Sequence, residues 1–266
     1  MPFVFSKFLD HGTSHPVVAR LHVQISELVK GTTLDESGRE AIFSASVHAS
    51  LRLIHCWEIQ KKLAEECEKL ELEFQPPQND QIAATIPSVS GLRHEAENFL
   101  YEAKNYLRDL TDVINAAYST SFNQASHFHN QIPQWAVGEF GTEDPLTKFL
   151  SSHRDWISEA NRMRNTVEHP NGRDSVITIT NYQMVPNLGV LRPAWQRTGK
   201  QQSFIVSDMA ALCDVMLRFG EELIVIIIEK RLHSPMIQIY EIPVDERNSI
   251  CPKRFVLGFA GIPGHP

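Results

Sequence analysis

Residues 146–172, LTKFLSSHRDWISEANRMRNTVEHPNG, place charged groups where an amphipathic helix should be apolar, and the fold and the candidate site both turn on them. Asp144 suits a helix N-cap and Pro145 a first helical position, because proline's fixed φ fits there and its missing N–H is not needed. From Leu146 onward, Phe149, Leu150, His153, Trp156, Ile157, Ala160 and Val167 recur at spacings of three and four, which predicts one buried face of a single long helix. Arg164 falls on that face. A guanidinium facing a core is costly unless it is ion-paired or borders a solvent-filled or partner-facing surface, so its position predicts a buried pair or a functional cleft.

The end of this helix is marked as well. Pro170 disfavours the α conformation at His169, so regular helix is predicted to stop near Glu168, with turn chemistry at Asn171-Gly172. His169 then meets the negative end of the helix dipole, which favours a protonated imidazole. Residues five apart diverge by about 140° on an ideal helix, so Arg164 and His169 converge only if the last turn is broken. The structural reading of the same residues pairs Arg164 with Glu97 or Glu102 on a neighbouring helix, or with Glu168 on its own, and makes His169 a C-capping residue.

Arg164-Asn165-Thr166-Val167-Glu168-His169-Pro170 resembles the R-N-x-x-x-H signature (the R-x4-H motif) of the HEPN superfamily, helical-bundle proteins many of which are metal-independent ribonucleases. The bare spacing is a common one. Its context adds weight: a helix of the right polarity, an asparagine after the arginine, a His-Pro stop and long amphipathic helices on either side. The resemblance covers residues 92–232. It implies a homodimer in which two copies of the motif helix face each other across a cleft and form one composite site. It implies chemistry without metal or cofactor, in which the 2′-OH of RNA attacks the adjacent phosphorus and leaves a 2′,3′-cyclic phosphate and a 5′-OH. Arg164 would stabilise charge on the phosphoryl oxygens, His169 would move a proton, and Asn165 would orient the phosphate or the partner's histidine. Some members carry a tyrosine two residues after the histidine; Asn171 stands there, so functions tied to that tyrosine are not carried over.

The alternative is a non-catalytic HEPN-like binding or scaffold protein, distinguished by an Arg164 locked in an ion pair and a His169 turned away from any cleft. A third reading, an unrelated helical protein, is favoured if the chain is monomeric and the motif helix packs wholly inside.

Composition sets the outer limits. With 42% hydrophobic and 21% charged residues over 266 positions, the chain can bury a full core. A net charge of −7 argues against a general nucleic-acid coat, of DNA above all, so RNA contact needs a local basic patch. Such a patch is available: Lys148, Arg154, Arg162, Arg164 and Arg173 stand against Asp155, Glu159 and Glu168. Cys56, Cys67, Cys213 and Cys251 show neither CxxC pairing nor zinc spacing and read as reduced thiols of a cytoplasmic protein. Residues 1–8 lack a secretory pattern, and the most apolar window, 223–228, is far short of the roughly 20 residues of a membrane span.

The organisation expected is mainly α: an up-and-down helical bundle with a small β-hairpin insertion and a β-containing C-terminal extension. Residues 1–35 form an N-terminal appendage with a short helix, on which Val18, Leu21, Ile25 and Leu28 share one side. Residues 36–232 form the bundle. Its first helix runs over 36–74 with Val47, Leu51, Ile54 and Trp57 on one face and an acid-rich second half, ended by Pro76-Pro77. The next, over 88–118, carries the cleanest apolar stripe, from Leu92 to Ala117. A polar connection over 119–141 follows, with Pro133 and Trp135 as anchors. The β insertion occupies about 175–206, with a strand over 175–180 returning at 203–206 across a loop containing Pro186, Gly189, Pro193 and Gly199. Ser207 then caps a last helix over 208–232, and residues 233–266 supply strand-like pieces at 236–242 and 254–259.

Other constellations carry less. His127 and His129 form an H-x-H pair without an acidic or histidine partner at a telling spacing, so a polar loop is the plainer reading and no metal site is assigned. His94-Glu95 opens like a zincin helix, but Asn98 stands where the second histidine is needed. Gly199-Lys200 lacks the glycine and hydroxyl of a phosphate loop, and no dinucleotide-binding glycine pattern is present. An inhibitory protein partner, or a toxin-antitoxin or defence role, is compatible with the family but has no residue of its own in the sequence.

Overall fold

A computed structural model describes residues 10–74, 86–169, 176–185 and 189–260. The chain is mainly helical with a few small antiparallel sheets.

The N-terminal helix begins as α1 (Pro16–Val18), widens into a π turn (Ala19–Val23) and continues as α2 (Gln24–Leu28). The periodicity of Val18, Leu21, Ile25 and Leu28 is obeyed, but this is core more than appendage: Leu21 and Ile25 are fully buried. The helix packs on α3 (Glu36–Glu73), which Asp35 caps by accepting from the Gly38 amide at 2.7 Å. The buried stripe of α3 is rotated from the expected face. Ala49, Leu53, Cys56 and Ile59 go inward with Ile54, while Val47, Leu51 and Trp57 lie on the half-exposed flank. The reason is that α3 has partners on two sides, α4 (Leu92–Tyr118) and α8 (Ile205–Glu229), so its contact surface is wider than one apolar line. The expected Pro76-Pro77 stop lies outside the described residues.

His15, the N-cap of α1, accepts from the Val17 amide at 3.3 Å and is 8% exposed. Burial, and then the neighbouring charge of His11, bring its pKa down from 6.5 to about 4. A histidine depressed on folding contributes stability that is fully present above the unfolded value and drains as pH falls toward the folded one. We therefore expect urea midpoints to drop between pH 6.5 and about 4, and the drop to shrink in His15→Gln. An undiminished acid loss in that variant would assign the sensitivity to other groups.

The connection expected to be polar loop after α4 is largely helical: a 3-10 turn at Ala125–His129 and α5 (Gln131–Phe140). Asn130 caps α5 from its side chain, and Ile132, Pro133 and Ala136 go into the core, a stripe too short to announce itself in sequence. Trp135 anchors as expected, edge-on to Phe122 and Phe140.

The decisive stretch is two helices and not one. α6 (Pro145–Ser152) is capped by Asp144 as expected and is followed by α7 (Arg154–Glu168), the break falling at His153. There Ser152 Oγ and His153 Nδ1 both approach the Phe149 carbonyl, at 2.8 and 2.9 Å, so side chains compete with the backbone for the last turn.

The β insertion pairs differently from the expected hairpin. β1 (Ile177–Thr180) pairs with β4 (Ala194–Arg197), and β5 (Ser203–Phe204) joins the far edge of β4, giving the order β1-β4-β5. A second hairpin, β2 (Gln183–Val185) with β3 (Gly189–Leu191), occupies part of the expected loop. Trp195 on β4 is the missed strand's core residue, donating through Nε1 to Asp208 at 2.6 Å. α8 starts at Ile205, so Ser207 is inside it and is not its cap. The window 223–228 is helix, buried except at the half-buried Ile226. β6 (Ile237–Glu241) and β7 (Phe255–Phe259) form the C-terminal hairpin close to the expected limits and pack on α2 and α8.

Candidate functional site

α7 packs against α4 and the 3-10 turn, and between them lies a cleft of about 670 Å³. On α4, Tyr101, Lys104 and Arg108 recur at three and four residues and so project from one face into it. From α7 come Asn161, Arg162, Arg164, Asn165 and Glu168. Amides fix the surrounding backbone: Asn161, in the lining, donates through Nδ2 to the Ile157 carbonyl at 3.0 Å, and just before the lining residues Asn123 and Gln124, Asn115 brackets Phe122 by accepting from its N–H at 2.8 Å and donating to its C=O at 2.7 Å.

Arg164 sits on the inward face, 7% exposed, as its spacing predicted. It is ion-paired with Glu168 one turn on, and its guanidinium lies 5.4 Å from the Tyr101 ring centroid. Of the three acids weighed for it, Glu168 is the partner; Glu102 is taken by Arg52 and Glu97 by Arg93. Asn165 is half-buried and its Oδ1 accepts from Lys104 Nζ at 3.3 Å. Lys104 Nζ is also 3.8 Å from the Glu168 carboxylate. His169 is the C-cap of α7, with its N–H on the Asn165 carbonyl at 2.9 Å; its side chain is exposed and lies outside the cleft lining. The proposed stop at Pro170 and the turn at Asn171-Gly172 lie outside the described residues, as does Arg173.

The cleft is cationic. Among the described residues, Lys104, Arg108, Arg162 and Arg164 line it against a single carboxylate, Glu168. Burial lowers the Lys104 pKa, and the charge of Arg164 lowers it further; burial also lowers that of Arg164, partly offset by Tyr101. Both shifts have the sign that burial gives a positive group, and a bound anion would act against them. Arg108 is partly engaged, donating twice to Asp109 at 2.9 and 2.7 Å.

The sequence reading found Arg164, Asn165 and Arg162. It missed Tyr101, Lys104 and Arg108, whose heptad-like spacing lies on the polar side of the cleanest amphipathic helix, away from the apolar stripe that its periodicity reports. His127 packs edge-on to Phe122 and His129 reaches the cleft rim. Among the described residues no cluster of three or more His, Cys, Asp or Glu side chains is placed to hold a metal ion. No family model, curated protein or solved structure matches this chain. Among the described residues, no helix is long and apolar enough to cross a membrane.

Proposed function

We propose that this chain is a HEPN-like protein whose α4–α7 cleft binds the phosphate groups of RNA. The observation that carries the reading is the convergence of four cationic side chains on one concave surface in a chain of net charge −7. Such local concentration against the overall charge is the footprint of an anion site. A phosphodiester entering the cleft meets the Arg164 fork, which accommodates two oxygens at once, with Lys104 and Asn165 beside it. Adjacent phosphates reach Arg108 and Arg162. Affinity should fall with salt, by about 0.7 in log K per unit log concentration for each phosphate engaged on a single strand.

Binding without cleavage is the first reading because Arg164 is ion-paired and His169 lies outside the cleft. Endonucleolytic cleavage is the second, favoured by one observation: His169 is exposed at the same end of α7 as Glu168, where a second copy of the chain could receive it. In that homodimer Arg164 would hold the phosphoryl oxygens, Asn165 would orient the phosphate, and His169 from the other copy would move a proton at the 2′-OH or the leaving 5′ oxygen, giving cyclic-phosphate ends.

End-labelled single-stranded RNA in excess EDTA separates these outcomes. Arg164→Ala is expected to weaken binding about tenfold or more, the scale of a lost charged hydrogen bond, and His169→Ala to leave binding unchanged. Cyclic-phosphate products lost in both variants would favour the nuclease. Unaltered binding in Arg164→Ala would overturn the phosphate site.

A further inference from the structure

Among the described residues Glu168 is the one acid lining a cleft of cations, and it is placed on two of them. It ion-pairs with Arg164 and stands 3.8 Å from Lys104. The two ends of the Arg164 pair differ in solvation: the guanidinium side chain is 9% exposed and the carboxylate side chain 38%. A carboxylate that can rotate into water loses little by leaving, whereas a buried guanidinium left without an anion is costly. Arg164 therefore holds a replaceable anion from its own helix, at the i,i+4 spacing that keeps it always at hand.

We propose that Glu168 is the specificity-determining residue of the cleft, a built-in competitor that any phosphate ligand must displace from Arg164 and Lys104. This rests on the phosphate-binding reading above. Exchange of one anion for another cancels much of the Coulombic gain at Arg164, so a single monoanion profits little. A ligand with consecutive phosphates displaces Glu168 at one and still engages Arg108 and Arg162 with the next, and for that ligand the exchange is favourable. The cleft thus selects oligonucleotides over isolated small anions by charge spacing, with no base contact required.

Glu168→Gln keeps the side-chain shape and removes the competitor. If the internal pair occupies Arg164 about nine-tenths of the time, apparent affinity is held down about tenfold, and the variant should recover that factor. The probes are a short fluorescent single-stranded RNA, read by anisotropy, and inorganic phosphate as its competitor. Glu168→Gln is expected to bind the RNA about tenfold tighter and to make phosphate a disproportionately better competitor. Glu143→Gln, which changes net charge equally at an exposed residue paired with Lys148, is the control and should bind like the native chain. In an Arg164→Ala background the gain from Glu168→Gln should fall below about twofold.

The failures are distinguishable. Native-like affinity in Glu168→Gln, with binding still weakened by Arg164→Ala, overturns the competitor and leaves the phosphate site standing. An equal gain with and without Arg164, or a matching gain in Glu143→Gln, is a general field effect and also overturns it. Binding indifferent to Arg164→Ala removes the phosphate reading itself.

Discussion

Glu221→Ala is expected to cost the fold about 3–5 kcal/mol, the scale for removing one member of a buried ion pair. Glu221 is fully buried on α8, where Arg20 from the π turn donates to it, Gln24 donates at 2.9 Å and Arg254 lies at 3.4 Å. Gln24 in turn accepts from the backbone amides of Arg254 and Phe255, both at 2.7 Å. One carboxylate therefore ties the N-terminal helix, α8 and the C-terminal hairpin together. Arg254 keeps Glu222 and Glu241 when Glu221 is lost, but Arg20 is left as a largely buried charge, which sets the size of the effect. Against a typical net stability of about 5–15 kcal/mol, the loss is large. Urea unfolding measures it, and a change under about 1 kcal/mol would show that the carboxylate is not the tie. Replacing both partners, Arg20→Met with Glu221→Leu, should recover much of the loss, because no charge is then stranded.

Gly220→Ala should destabilise by about 3 kcal/mol, although on helix propensity alone it would stabilise by about 1. A Cβ on Gly220 would stand 1.9 Å from Tyr106 Oη and 3.1 Å from its Cζ. Tyr106 cannot simply step aside: it is fully buried on α4 and donates to the Met216 carbonyl at 2.8 Å. Steric overlap with a fixed ring outweighs propensity, which decides the sign. The same hydroxyl supplies the control. Tyr106→Phe removes the closest atom, so the double variant should be less destabilised than the sum of the two single changes, a coupling that urea melts can read directly. Stability in Gly220→Ala equal to or above the native chain would mean that α4 and α8 do not approach this closely.

Much of the helical architecture is legible locally. Asp144 caps where its side chain predicts, α4 follows its apolar rhythm from Leu92 to Ala117, and Arg164 faces inward because 3.6-residue periodicity puts it there. These depend on neighbours within a turn or two, which sequence carries. The misses have a common cause. The break at His153 comes from side chains capturing the Phe149 carbonyl inside a pattern that reads as continuous, and Ala194–Arg197 was hidden between Pro193 and Gly199, which signal loop whatever lies between them. α3's rotated face reflects two helical partners whose directions no single-helix pattern encodes.

The candidate site divides along the same line. From the sequence alone come the mainly helical class, a helix ending in Arg164-Asn165-x-x-x-His169, and a guanidinium on a buried face that must be paired or line a cleft. Tertiary structure alone decided that Glu168 supplies the pair, that His169 stays outside, and that Lys104 and Arg108, some sixty residues earlier in the chain, stand across from Arg164. Periodicity reports which face of a helix is buried; it carries no information on the axial offset between two helices, and that offset sets which charges meet.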